Sequence, residues 1–340
     1  MKREHLSFYV SPESRQPLRL KSVDVEENSE IVSGVLTSDD GGEYQIIEGM
    51  PDLTFPRQLS KTDLHARSFY DGRADAYDKF LHLTFVTHNE DEQKLRRQFI
   101  DALDLQPDHT VLEVSCGTGR DSEIIAGRLN SAGLLCLQDI AGGMLARCRQ
   151  RLANVEVPTT YSLSNACYLP YPDNSFDALY SFGGLGEFSD IKRSLAEMVR
   201  VCRPGAKIVV GDESIPPWLR ETEFAKILQT TNKQFFAKLP LEEMPVEARE
   251  VRLRWVIGGV FYLIDFRVGE GEPVGNFDFE IPGPRGGTYR SRYLGQMEGV
   301  KVETKQLAER AREKKGVSMH DWLDDVVRRA ALQDLGQDNE

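Results

Sequence analysis

The sequence predicts an α/β fold: a parallel sheet with helices on both faces, a small β segment before it and a helical extension after it. Three observations carry this reading. Short apolar runs alternate with helix-like stretches from Val111 to Asp212. The first run, Val111-Leu112-Glu113-Val114, passes directly into Ser115-Cys116-Gly117-Thr118-Gly119 and then into a helical pattern. That strand, tight turn and helix is the geometry that grips the polar part of a nucleotide-like cofactor. The next apolar run closes on an acidic residue, Asp139, about 20 residues after the glycine loop, the spacing of a carboxylate that accepts ribose hydroxyls.

Each element of the sheet has its own signal. Val111 to Val114 is the first strand and Leu134 to Asp139 the second. Tyr161-Ser162-Leu163 leads into a third that ends at Asn165-Ala166; Phe176 to Ser181 is the fourth and Lys207 to Asp212 the fifth. Helical patterns fill the gaps at Asp121 to Leu129, Gly143 to Leu152 and Ile191 to Cys202, the last stopped by Arg203-Pro204-Gly205. Upstream, Leu64 to Leu103 reads as helical. Downstream, Glu221 to Leu239 reads as a helix, and Val251 to Val268 as two strands bent at Gly258-Gly259 that finish the sheet.

At 340 residues the chain can hold more than one domain, and 40% hydrophobic with 28% charged residues is ordinary for a globular protein. A net charge of -12 opposes loose association with nucleic acid or an anionic membrane. The cysteines, Cys116, Cys136, Cys148, Cys167 and Cys202, form no C-x-x-C pair, which disfavours a disulfide framework or a cysteine zinc site and suits a reducing cytoplasm. Met1 to His5 carries no apolar signal segment, and no run reaches the ~20 apolar residues of a membrane span. The expectation is a cytoplasmic protein with no metal.

Residues 1–58 are rich in turn formers, with short strands at Val32 to Leu36 and Tyr44 to Ile47 around Ser38-Asp39-Asp40-Gly41-Gly42. Ser11-Pro12-Glu13-Ser14-Arg15-Gln16-Pro17-Leu18, Gly34-Val35-Leu36-Thr37-Ser38-Asp39-Asp40-Gly41 and Tyr44 to Leu53 resemble the frame of a methyltransferase-activator-type zinc ribbon. The four ligand positions of that frame hold Ser11, Ser14, Ser38 and Gly41, and serine hydroxyls are poor zinc ligands. The segment is read as a degenerate ribbon without zinc, or as an unrelated small β-segment.

The core motifs, in order, resemble the class I S-adenosylmethionine-dependent methyltransferases, closest to the ubiquinone/menaquinone-type group. Phe69-Tyr70-Asp71 and Tyr77-Asp78 match that group's F-Y-D-x-x-A-x-x-Y-D segment. E-V-S-C-G-T-G follows at Glu113 to Gly119, then Asn165-Ala166-Cys167-Tyr168-Leu169-Pro170, Pro172-Asp173-Asn174-Ser175-Phe176-Asp177 and Glu197 to Ala206. A nicotinamide-binding unit would want a third glycine where Ser122 stands. The resemblance implies a Rossmann-like sheet over residues 59–215 that binds S-adenosyl-L-methionine. Its cofactor-binding positions here are Glu113, Ser115, Gly117, Gly119, Asp139, Ile140, Asn165, Ala166 and Ser181. Asp139 would accept from the ribose, Asn165 would meet the adenine amino group, and Glu113 would hold the loop or meet the cofactor's amino group.

A sulfonium methyl is already activated, so catalysis reduces to aligning a nucleophile and excluding water. Two residues are candidates for the catalytic end. Glu187, in the loop after the fourth strand, is a base, a binder for a cationic substrate, or a solvated loop carboxylate. Tyr77 is a cofactor-side aromatic or a core aromatic. Residues 216–300 complete the sheet and supply a Gly/Pro-rich stretch whose Phe277, Phe279, Arg285, Tyr289, Arg290 and Arg292 form a substrate lid or an ordered surface excursion. Residues 301–340 form a helical pair, broken at Lys315-Gly316-Val317 and restarted at Ser318, that either dimerises or completes the fold. The leading reading is methyl transfer to a small molecule. The alternatives are an rRNA or tRNA base methyltransferase and a non-catalytic partner that keeps the fold.

Overall fold

The computed structural model describes residues 1–294 and 300–337. It divides into two compact units, Met1–Glu272 and Pro273–Glu340. In the first, an antiparallel sheet is built from β1 (Arg19–Glu27), β2 (Glu30–Thr37), β3 (Glu43–Ile47) and β4 (Met50–Pro51). The sequence reading missed β1. Its side chains are largely exposed and mostly polar, so no apolar face announces it. The positions that a ribbon frame would give to metal ligands are joined by hydrogen bonds instead. Ser11 Oγ lies 2.9 Å from the Tyr44 hydroxyl, the Ser14 N–H donates to Ser11 Oγ, and Ser38 Oγ donates to Asp40.

The predicted helical stretch Leu64 to Leu103 is four helices: α1 (Lys61–Asp71), α2 (Ala74–Phe80), α3 (His82–Thr87) and α4 (Glu92–Asp101). Ser60 and Asp91 cap α1 and α4 by accepting from Asp63 N–H and Lys94 N–H. The sheet proper follows as β5 (Thr110–Val114), α5 (Arg120–Ala126), β6 (Leu134–Asp139), α6 (Gly142–Arg151), β7 (Thr159–Leu163), β8 (Phe176–Phe182), α7 (Ile191–Val201) and β9 (Cys202–Glu213). Then come α8 (Glu223–Gln229) and the hairpin β10 (Ala248–Val256) and β11 (Phe261–Val268).

The seven strands run β10-β11-β9-β8-β5-β6-β7. The five from β7 to β9 are parallel, and β11 joins β9 antiparallel. The strands are apolar on both faces, as a sheet covered on both sides requires. Leu112 and Val114 of β5 belong to one core cluster, and Val111 to the other. Glu113 therefore points to the Val111 side.

Two local expectations need correction. The third strand stops at Leu163, because the Asn165 side chain accepts from the Cys167 N–H at 2.9 Å and starts a turn. The predicted Glu221 to Leu239 helix is real only as α8. Thr230 and Thr231 hydroxyls donate back to Ile227 and Leu228 carbonyls, and Asn232 caps a separate 3-10 turn at Lys233–Phe236.

The small sheet is sewn to the outer edge of the large one. Asp52 bridges Leu163 in parallel, Leu53 N–H donates to the Leu163 carbonyl at 2.8 Å, and the buried Tyr9 hydroxyl reaches Thr160 and the Tyr161 carbonyl. The β7 edge, otherwise an open row of backbone groups, is covered at this end.

In the second unit, α9 (Tyr289–Leu294), α10 (Val302–Lys315) and α11 (Met319–Asp334) follow a Gly/Pro-rich stretch. Phe277 and Phe279 pack edge-on against Tyr289, and Arg290 pairs with Asp278. Gly316, in the left-handed region, ends α10, and Ser318 caps α11. The end of the stretch expected to act as a lid or a surface excursion, Gly295 to Gly299, and Asp338 to Glu340 after α11 lie outside the described residues. No helix among the described residues is long and apolar enough to cross a membrane.

Candidate functional site

Strand order reverses between β5 and β8, and the loops at the C-terminal ends of these strands diverge there, as ligand sites in open α/β sheets do. A cavity of about 540 Å³ opens at this point. Among the sequence-predicted residues it is lined by Tyr77, Glu113, Ser115, Gly117, Asp139, Ile140, Asn165, Ala166 and Glu187. Gly119 and Ser181 are not on its wall.

The glycine loop is held from below by two side chains of β6. Gln138 accepts from the Ser115 N–H at 3.1 Å and donates to the Ser164 carbonyl. Asp139 accepts from the Gly117 N–H and the Ala141 N–H, each at 2.9 Å. Burial pushes the Asp139 carboxyl up to about 6, against the lowering effect of these backbone donors. Each carboxylate oxygen keeps a further lone pair, so the side chain can still accept from a ligand hydroxyl. Ser115 sits at φ 56°. Gly184 lies so close that a Cβ there would fall 2.7 Å from the Ser115 Cβ; glycine is what lets the two loops meet.

Gly119 has a different task. It sits at φ 83° ahead of α5, and a Cβ there would fall 2.7 Å from Cys148 Sγ. Glycine at this position lets α5 approach α6. Ser181 lies inside β8, fully buried, and its hydroxyl has no partner among the described residues.

Glu113 is 3% exposed, and its Oε2 has no hydrogen-bond partner among the described residues. Burial, reinforced by the charge of Asp121, holds its carboxyl well above the usual range. Asp121 accepts from Arg96 at 2.8 Å and from the Tyr180 hydroxyl at 3.2 Å. Arg96 also binds Glu92. Asn165 uses its carbonyl within its own turn and donates through Nδ2 to Asp63 at 3.2 Å. Tyr77 packs edge-on against Tyr70, ring centroids 5.9 Å apart, and burial raises its phenol above the ordinary range.

Several residues on or behind this wall escaped the sequence reading. Asp63, 4% exposed, accepts from Ser60, Asn165 and Ser189; it ties α1 to two loops that come much later in the chain. Asp71 and Asp78 stand in the quoted aromatic segment, which is the signal that could have found them. Asp71 accepts from the Gly143 N–H at 2.8 Å at the start of α6. Asp78 accepts from Thr118, Arg120 and Arg151 and holds α2 over the glycine loop. Asp212 and Glu213, at the end of β9, also line the cavity; their signal was an acidic pair closing a parallel strand.

The arrangement supplies a glycine turn under a helix start, a carboxylate at the end of the neighbouring strand and a buried orphan acidic oxygen. These fit a ligand that carries ribose hydroxyls and an ammonium group. Residues 112–210 match the methyltransferase domain family. A demethylmenaquinone methyltransferase of Renibacterium salmoninarum is 38% identical over 159 residues, covering 46% of this chain and 62% of that protein. Its counterpart from Symbiobacterium thermophilum is 29% identical over 163 residues, covering 47% of this chain and 64% of that protein. The chain thus spans less than two thirds of the length of these curated relatives. A solved structure of phosphoethanolamine N-methyltransferase 2 from Haemonchus contortus compares at a TM-score of 0.48 and 12% identity, over 67% of this chain and 64% of that one.

Proposed function

We propose, from the premise that residues 112–210 are a methyltransferase domain of the S-adenosylmethionine-dependent group, that this chain is an enzyme transferring a methyl group from S-adenosylmethionine to a small-molecule acceptor. The observation that carries the reading is the convergence of Asp139, Glu113 and the Ser115–Gly117 backbone on one cavity. Asp139 holds the loop and accepts ribose hydroxyls. Glu113 meets the ammonium with its unpartnered oxygen, and Asn165 lies at the adenine end. The bound cofactor supplies an electrophilic methyl on a sulfonium. The protein aligns the acceptor, keeps water out with Tyr70, Tyr77 and Phe188, and takes a proton where the acceptor must lose one. The names of the relatives suggest a demethylated quinone-like acceptor as one member of this class.

An RNA substrate is the weaker reading. The cavity wall is acidic, and a polynucleotide would bring phosphates to it. We also propose that α10 and α11 pair with a second copy of the chain, since Leu307, Leu323 and Val327 are exposed; sedimentation velocity would show a concentration-dependent dimer. The function is tested by incubating the protein with methyl-tritiated S-adenosylmethionine and a cell extract. Label in the low-mass fraction, insensitive to ribonuclease, is expected. Label confined to RNA contradicts the small-molecule reading.

A further inference from the structure

We propose that Asp63 accepts the exocyclic amine of the cofactor's adenine and is therefore the residue that selects a 6-aminopurine. The proposal rests on the methyltransferase reading and extends it to α1, which lies outside the matched residues 112–210. Asp63 is on the cavity wall with Asn165 and Ala166. Its donors are neutral and unevenly shared. Oδ2 accepts from the Ser60 and Ser189 hydroxyls, each at 2.8 Å, and from Asn165 Nδ2 at 3.2 Å. Among the described residues Oδ1 accepts from the Ser189 N–H alone, at 3.3 Å, beyond the usual range for such a bond. A carboxylate offers about four lone-pair sites, so the capacity left on this side chain is on Oδ1. A charge this buried, 4% exposed, gains from a further donor.

The orientation of Asn165 is the second observation. The sequence motif places this residue at the adenine amine, where a carbonyl oxygen is needed. Its Oδ1 is turned back to the Cys167 N–H at 2.9 Å, and its Nδ2 is turned to Asp63. Beyond its own turn the amide thus presents a donor. An exocyclic amine is a donor as well, and two donors do not pair. The acceptor that an acidic side chain at position 165 would provide stands instead on α1, one hydrogen bond away.

The topology puts this carboxylate where a base belongs. Asp139 ends β6, and the Asn165 turn follows β7, the next strand in the sheet. A base joined to a ribose at Asp139 falls toward that turn and the helix above it. A purine with a carbonyl at position 6 would bring oxygen lone pairs to a carboxylate and be repelled, whereas an amine donates to it. Helix α1 also carries Ala66, Phe69 and Tyr70 to the cavity wall. A base bound to Asp63 therefore holds this helix over the cavity at the same time.

The test is calorimetry with two probes: S-adenosylhomocysteine, and the same thioether built on purine riboside, which lacks only the 6-amino group. The unsubstituted protein is expected to bind the amino compound roughly tenfold or more tightly, the size of a hydrogen bond to a buried charged group. Asp63→Asn keeps one oxygen for the hydroxyl donors and offers an NH2 group in place of the other, so it is expected to erase that preference. The double variant Asp63→Asn with Asn165→Asp returns a carboxylate to the Asn165 turn and is expected to restore it. Equal affinity of the unsubstituted protein for the two probes, or a preference that survives Asp63→Asn, overturns the proposal. A crystal structure of the unsubstituted protein with S-adenosylhomocysteine decides the question without a variant. The amine on an Asp63 oxygen supports the proposal, and the amine on the Asn165 carbonyl or on neither residue overturns it. Failure of the unsubstituted protein to bind either probe overturns the methyltransferase reading itself.

Discussion

The Asp139 carboxylate accepts the backbone N–H of Gly117 at 2.9 Å, so the end of β6 and the turn after β5 are fixed to each other by one side chain. The same carboxylate caps its own turn through the Ala141 N–H. A residue assigned to the ligand is thus also part of the scaffold that shapes the loop.

Asp139→Ala is expected to weaken S-adenosylhomocysteine binding by ~1–3 kcal/mol, through lost ribose hydrogen bonds and a loosened glycine turn. Isothermal calorimetry reads it directly. Unchanged affinity would remove Asp139 from the ribose role.

Affinity should also depend on pH in a definite direction. The Asp139 carboxyl is pushed up to about 6 by burial, so the folded protein holds this proton where the unfolded chain does not. The stabilising contribution of the protonated form is complete below the unfolded value of ~3.9 and is lost as pH rises through about 6. Hydroxyl donors need the ionised form. S-adenosylhomocysteine affinity should therefore include a component that weakens as pH falls through about 6. That component should vanish in Asp139→Asn; a pH profile identical in that variant would contradict the assignment.

Asp63 joins α1 to the Asn165 turn and to Ser189. Replacing it by alanine leaves the buried Asn165 amide without its acceptor, while the exposed Ser60 and Ser189 hydroxyls can turn to water, so Asp63→Ala is expected to cost ~1–3 kcal/mol of folding stability. Urea denaturation measures this as a lowered midpoint at unchanged slope. A midpoint equal to that of the parent protein would mean that α1 is not anchored through this residue.

The N-terminal sheet holds its turns with Ser11–Tyr44, Ser14–Ser11 and Ser38–Asp40 hydrogen bonds. Prolonged treatment with a strong chelator is expected to leave the thermal midpoint unchanged, since structural zinc, where present, contributes to folding outright. A large drop in midpoint, restored by zinc, would show a metal site that this account lacks.

What was legible in the sequence was what is contiguous. Glu113 to Gly117 and Asp139 lie at the ends of apolar strands, and strand–turn–helix order alone places them together. Asp63 was not legible, because its partners Asn165 and Ser189 lie 102 and 126 positions away and nothing local distinguishes it from a helix-capping acid. Gly119 is expected at the cofactor from its place in the loop, but the close approach its lack of a side chain permits is to Cys148 Sγ, which spacing does not announce. Ser181 shows the converse: position at a strand end does not fix the direction of the side chain. The polar strand β1 carries no apolar face, so only its pairing with β2 reveals it.

Whether this cavity is built for S-adenosylmethionine is read most simply from a calorimetric titration of the full chain with that compound. Saturable binding at one site per chain is expected, with NADH and ATP failing to compete. Absence of binding by S-adenosylmethionine, or its displacement by NADH, would contradict the account.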